Sequence, residues 1–197
     1  MIVGDPSYRT EAQAKKFRQL TYTCLENILT RSGETLDMPK KVCKAGIMAN
    51  IRFPTTSTQP TTRATSRTPV VPSRAAVPVP RLTPSRSPLF YEVIWDTRAF
   101  NNPNDWPTDG SQPFVWSYGD PTGYGNHGDY MFGWKGDALQ KAMDSNCNIN
   151  CPQLKTQSIS QGNQCSKKVS VNEEIDGWLK ELPGGMPVTD ATGKVLY

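Results

Sequence analysis

The chain holds one histidine in 197 residues, and its five cysteines are too scattered for a zinc-finger array. No stretch approaches the ~20 consecutive apolar residues of a membrane helix. No Asn-x-Ser/Thr triplet occurs, so N-glycosylation gives no clue to compartment. No secretory leader is visible, because Met1-Ile2-Val3 runs directly into Gly4-Asp5-Pro6. Hydrophobic residues make up only 36%, low for a compact domain of this length. Proline, in contrast, is abundant at 17.

The net charge of +4 is not spread evenly. Residues 55–88 contain 20 Ser, Thr or Pro, five Arg (63, 67, 74, 81 and 86), and no acidic residue, Lys or aromatic. The remainder carries 17 basic against 18 acidic residues, a net of −1. Such a segment buries too little apolar surface to offset its ordering entropy, so disorder is expected. It reads as a Pro-rich linker, a glycosylated stalk or a basic arm. Without an aromatic to stack on a base it makes a poor nucleic-acid arm, and no nucleic-acid partner is expected.

The flanking sequence is patterned as strands. Val42 to Phe53 places Ile47, Ala49, Ile51 and Phe53 on alternate positions. Thr21 to Leu25 is strand-like in composition. Leu89 to Thr97 puts Leu89, Tyr91, Val93 and Trp95 on one face. Phe114 to Tyr118 is a further strand candidate. Glu11 to Leu20 and Asp137 to Asn146 are candidate short helices. Asn172 is placed to cap another, bearing Ile175, Trp178, Leu179 and Leu182 and stopped by Pro183-Gly184-Gly185. The fold class is mainly β with two short helices late in the chain, a β-sandwich-like α+β arrangement. The divisions are 1–54, the 55–88 segment, 89–182 and a tail at 183–197.

Trp95, Trp106, Trp116 and Trp134 fall within forty residues, among Gly, Pro, Asp and Asn. Two readings stand: a small aromatic core beneath loops, or a stacking surface for sugar rings or another flat ligand. The second points to Trp116, Tyr118, Tyr124 and Trp134.

Gly123-Tyr124-Gly125-Asn126-His127-Gly128 satisfies G-x-G-x-x-G, but Pro121 precedes it and Asp129-Tyr130-Met131 is no helix start. A dinucleotide fingerprint must open a helix, so the glycines are expected to permit positive φ in a tight loop instead. The same loop holds Asp120, His127 and Asp129. These are the candidate acid–base residues, with His127 and Asp129 as candidate metal ligands. The alternative is that both Asp shape turns and His127 makes a structural hydrogen bond. Glu92 and Asp96 share no catalytic pairing, since four strand residues span roughly 13 Å, beyond either glycosidase spacing.

Cys24, Cys43, Cys147, Cys151 and Cys165 fit no zinc ribbon or thioredoxin motif. Disulfides in a secreted protein are the expectation, with the pairing open and one thiol left over.

Several blocks resemble the fungal secreted family known as DUF1996. They are Met1 to Pro6, Cys43-Lys44-Ala45-Gly46-Ile47 to Arg52-Phe53-Pro54, Leu89 to Val93, Ser117 to Asp120, Thr122 to Tyr130 and Gly133-Trp134, continuing through Leu139-Gln140 and Cys147 to Cys151. The resemblance covers most of residues 1–165 apart from 55–88. It implies a secreted, disulfide-bonded domain, sometimes joined to carbohydrate-binding WSC modules, and implies no reaction.

Two departures from the family accompany it. Members carry a His-rich section ahead of the position where this chain starts, so an incomplete domain is expected. After Phe53-Pro54 the family also continues with C-W-D-G and a D-x-D-S-x-D-H-x-x-H-x-x-Y-P run. Permitted codons for Thr55 to Pro69, read from the third base of the Thr55 codon, give D-L-D-S-T-D-H-Q-G-H-V-A-Y-P. The same offset lets Val79-Pro80 encode C-P and Thr83-Pro84-Ser85 encode H-P-V. Residues 55–88 are therefore expected to be a frameshifted or mis-spliced reading. The expected function is extracellular carbohydrate or cell-wall binding. The alternatives are a metal-dependent or acid–base enzyme on an extracellular polysaccharide, and a structural secreted domain.

Overall fold

The computed structural model describes residues 2–27, 30–53, 89–145, 147 and 151–196. The expectations placed on 55–88 lie outside the described residues. Residues 3–53, 90–129 and 169–197 form one compact unit, and 130–168 belong to a second.

The chain begins with β1 (Ile2–Gly4) and α1 (Glu11–Ala14), and α1 runs on as a 3₁₀ turn over Lys15–Phe17. Thr10 starts α1 because its side chain accepts from the Gln13 amide while the Gln13 side chain returns to the Thr10 backbone. That reciprocal cap satisfies two amides that the first turn leaves unpaired. The helix is shorter than the Glu11–Leu20 expectation, since Leu20 already belongs to β2.

Four strands form the main sheet: β2 (Leu20–Leu25), β3 (Arg31–Thr35), β4 (Ile47–Arg52) and β5 (Phe90–Trp95). Their order is β3-β2-β4-β5 and every pairing is antiparallel. The register sets Tyr22 beside Ala49, and Ala49 beside Val93. Central strands β2 and β4 are buried along nearly their whole length. On one face Tyr22, Cys24, Ile47 and Ala49 make the core with Met38 and Cys43, and Phe114 and Trp116 pack against it. Burying a side chain of the size of Ile47 contributes ~1.5–3 kcal/mol.

The other face is polar yet buried. Asn50 Nδ2 donates to Thr21 Oγ1 (3.3 Å) and Thr23 Oγ1 (3.0 Å), and Thr21 Oγ1 donates to Glu34 Oε2 at 3.0 Å. These bonds offset the cost of burying hydroxyls and a carboxamide between strands. Edge strand β5 is exposed on both faces, with Val93 at 39%, Ile94 at 54% and Trp95 at 49%.

A two-stranded sheet pairs β1 with β6 (His127–Asp129). The helices α2 (Ala138–Asp144) and α3 (Ile159–Gly162) lie within the second unit. The protein is thus mainly β with short helices.

Two sequence expectations fail. No helix forms after Asn172: Gly177 takes φ +81°, which interrupts the turn, and Ile175 and Trp178 stay exposed. An apolar stripe without a surface to bury it does not hold a short helix. Phe114 to Tyr118 forms no strand and joins no ladder: Ser117 and Tyr118 already lie in a turn where Gly119 N donates to Trp116 O at 2.8 Å. The residues beyond 183 pack into the first unit, with Val188 buried and Thr189 N donating to Gly119 O at 3.0 Å.

Two disulfides form, Cys24–Cys43 and Cys147–Cys151. Cys165 is an exposed free thiol. The first disulfide lies in the core and ties β2 to the loop before β4, while the second spans four residues in the second unit.

Candidate functional site

The loop from Trp116 to β6 is organised by one carboxylate. Asp120 is completely buried. Its Oδ1 accepts from Thr122 N (2.8 Å) and Thr122 Oγ1 (2.6 Å), and its Oδ2 accepts from Gly125 N at 2.8 Å. Arg9 Nε stands 3.7 Å from Oδ1. The Arg9 guanidinium is itself held by the carbonyls of Pro6, Tyr8 and Thr189. A short polar side chain that bonds amides two and five residues ahead fixes a turn, and Asp suits that role. Three of the carboxylate's lone pairs are taken up by these donors.

The three glycines of G-x-G-x-x-G serve different ends. Gly123 has φ +87°, and a Cβ there would stand 2.6 Å from Met38 N. Gly125 and Gly128 have ordinary φ and are small for space: a Cβ on Gly125 would meet Pro6 O at 2.8 Å, and one on Gly128 would meet Ile51 Cγ2 at 2.7 Å. The motif leads into strand β6, so it is no phosphate loop.

His127 is half-buried, and its Nδ1 lies 2.9 Å from Gly125 O. A carbonyl only accepts, so Nδ1 is the donor in this bond. Tyr118 Oη donates to the same carbonyl at 3.0 Å. Asp129 is exposed at the end of β6, and its backbone carbonyl accepts from Tyr91 Oη at 3.3 Å. The structure thus brings Asp120 and His127 to opposite ends of Gly125. Asp129 follows two residues after His127 on the same strand, with its side chain exposed. Among the described residues no three His, Cys, Asp or Glu are grouped to hold a metal ion.

Beside this loop the aromatics form a continuous row. Trp95 meets Trp116 edge-to-face at 5.7 Å. Trp116 stacks on Tyr118 at 5.8 Å with only 12° between planes. Tyr118 meets His127 edge-to-face at 5.0 Å. The row is anchored from below, because Trp116 Nε1 donates to Tyr22 Oη (2.9 Å) and Tyr22 Oη donates to Gly123 O at 2.8 Å. Burial pushes the Tyr22 hydroxyl well above its usual pKa, and burial followed by the Asp120 charge does the same to Tyr118.

Of the ligand-binding candidates, Trp116 and Tyr118 sit in this row. Tyr124 is half-buried near the Lys40–Asp37 ion pair, whose N–O distance is 3.1 Å. Burial and the Asp37 charge raise the Tyr124 pKa. Trp134 belongs to the second unit. Sequence reasoning missed Trp95 as a site residue, and it missed Arg9. The signal for Trp95 was present: it is the last position of an edge strand on the face that meets Trp116. Nothing in the local sequence links Arg9 to Asp120.

The fold and site define a β-rich, disulfide-bonded domain with an aromatic row built on a carboxylate-locked loop. The sequence profile described as "Domain of unknown function (DUF1996)" matches residues 1–134, and the chain belongs to that family. No curated protein and no solved structure matches the chain.

Proposed function

We propose that this domain binds polysaccharide outside the cell, using the Trp95–Trp116–Tyr118–His127 row as its stacking surface. The observation that carries the reading is the row itself. Four rings touch in sequence, three of them half-buried, and Trp95 remains 49% exposed at the open end. Sugar rings present flat C–H faces that pack on such rings, while a few polar atoms fix orientation. His127 Nε2 supplies one polar atom for a hydroxyl. Two disulfides support an oxidising compartment. Binding is favoured over catalysis because the Asp120 carboxylate is committed to the loop.

The test is retention on insoluble cellulose, chitin and β-1,3-glucan, followed by tryptophan fluorescence titration with soluble fragments of whichever polymer retains the protein. Retention on at least one polymer with quenching of the row supports the reading. Passage through all of them contradicts it.

A further inference from the structure

A further exposed ring lies in the same unit as the row, on the loop that follows β5. A 3₁₀ turn over Arg98–Phe100 leaves the Phe100 side chain 55% exposed. A lone exposed ring on a surface calls for no explanation. This one is braced by other rings. Phe100 meets Phe114 edge-to-face at 6.2 Å, and Trp106 meets the same Phe114 ring edge-to-face at 5.9 Å. Phe114 and Trp106 are half-buried, and Phe114 packs against the core of the sheet.

Hydrogen bonds fix the loop as well. Phe100 N donates to Thr97 O at 3.0 Å, and Trp106 Nε1 donates to Phe100 O at 2.8 Å. Asn101 Nδ2 donates to Cys43 O at 3.3 Å, which ties the turn to the core disulfide. Gln112 Nε2 donates to Phe114 O (3.0 Å) and Pro121 O (2.7 Å), joining Phe114 to the loop that carries Asp120. A ring held this way loses little freedom when a ligand stacks on it.

The second ring is tied to the first. Phe114 and Trp116 are two positions apart and pack against the same core cluster. Trp116 seats Trp95, and Phe114 seats Phe100. The exposed rings Trp95 and Phe100 thus rest on one short segment. They are five residues apart in the chain, so their Cα atoms lie within ~18 Å of each other. One sugar covers one aromatic ring, whereas an extended chain of sugars can lie across both. Between Phe100 and Trp106, the turn over Pro103–Asp105 exposes Asn104 and Asp105, whose carboxamide and carboxylate suit sugar hydroxyls. We infer that Phe100 is a second stacking subsite, so that the domain takes an extended polysaccharide chain across several sugar units rather than a terminal sugar. The inference rests on the polysaccharide reading above and adds to it the form of the ligand.

Calorimetric titration of the full chain with the disaccharide and the hexasaccharide of cellulose, of chitin and of β-1,3-glucan is the test. In the series that binds, the hexasaccharide is expected to bind at least about tenfold more tightly than the disaccharide, beyond the gain its extra registers supply. F100L keeps an apolar side chain against Phe114 and removes the stackable face. It is expected to weaken hexasaccharide binding about tenfold and to leave disaccharide affinity unchanged. Equal affinity for the two lengths in the wild-type protein, or unchanged hexasaccharide affinity in F100L, overturns the subsite while the row reading stands. Should a polymer retain the protein without measurable oligosaccharide binding, retention of F100L decides: weakened retention supports the subsite, and retention equal to wild type overturns it. No retention on any polymer overturns both readings. Should F100L not fold, the ring-proton resonances of Phe100 in the wild-type protein decide. They are expected to shift on addition of the hexasaccharide, and resonances unmoved at saturation overturn the assignment.

Discussion

Asp120 Oδ2 accepts the Gly125 amide at 2.8 Å, and the Gly125 carbonyl in turn accepts from both Tyr118 Oη and His127 Nδ1. One residue therefore connects the buried carboxylate to two rings of the aromatic row. Two of the three candidate acid–base residues, Asp120 and His127, are joined through the Gly125 backbone. Their arrangement shapes a surface.

Replacing the carboxylate tests this directly. Asp120→Asn keeps the shape, but it sets an amide group against N–H donors and leaves Arg9 without its counter-charge. The variant is expected to lose about 3 kcal/mol of stability by urea unfolding. Loss of ligand binding should follow the loss of the folded loop. A fully stable Asp120→Asn that loses a turnover activity would instead make the carboxylate a reacting group.

The Cys24–Cys43 bond closes a loop with a sequence separation of 19. Loop-closure entropy for that length is worth about 3 kcal/mol. A Cys24→Ala/Cys43→Ala variant is expected to unfold at correspondingly lower denaturant. Removing Cys147–Cys151, with its separation of 4, should matter less because the loop is short.

Gly123→Ala forces a side chain into positive φ and against Met38 N and the Tyr22 ring. It is expected to cost about 2 kcal/mol or more and to disturb the Trp116 environment. Near-ultraviolet circular dichroism reads the second effect, since Trp116 donates to Tyr22.

Two tyrosines should resist alkali. Burial raises the folded-state pKa of Tyr22 and of Tyr118. A group with a raised folded pKa contributes stability that is complete below its unfolded pKa, near 10 for Tyr. That stability declines as pH rises from there through the folded value. Absorbance at 295 nm should show the more exposed tyrosines ionising first, with Tyr22 and Tyr118 following only as the chain unfolds. Simultaneous ionisation of all seven in the folded protein would contradict their burial.

The reading of 55–88 as a shifted frame has its own check. Sequencing the transcript across Phe53 to Leu89 is expected to show a form encoding the D-L-D-S-T-D-H run in place of Thr55 to Pro69. A single transcript that encodes the Thr/Pro/Arg stretch throughout would refute it.

The strands are legible in the sequence by composition, and the β2 and β5 segments lie within a residue or two of where they are expected. The alternation at Ile47, Ala49 and Ile51 is less informative: β4 is buried on both faces, while β5 is exposed on both. The Asn172 helix misled for a physical reason: its apolar spacing was right, but Gly177 breaks the backbone and the stripe stays exposed. Phe114 to Tyr118 misled because its aromatics serve packing and carry no ladder. The loop residues Asp120 and His127 were singled out by type and nearness. Their roles depend on Arg9, Thr122 and the Gly125 peptide, contacts that sequence adjacency only partly encodes. The row needs Trp95 and Trp116, 21 positions apart, to meet, and it is the packing of the Trp116 segment against the core of the sheet that brings them together.

The central claim is that the exposed end of the aromatic row binds polysaccharide. The most direct measurement is the affinity of Trp95→Ala for a polymer that retains the wild-type protein, with unfolding followed in parallel. Trp95 sits at a sheet edge and is half-exposed, so its removal should leave the fold largely stable. The account predicts at least about a tenfold loss of affinity, in line with losing one stacked aromatic. Unchanged affinity in a folded Trp95→Ala protein would contradict it.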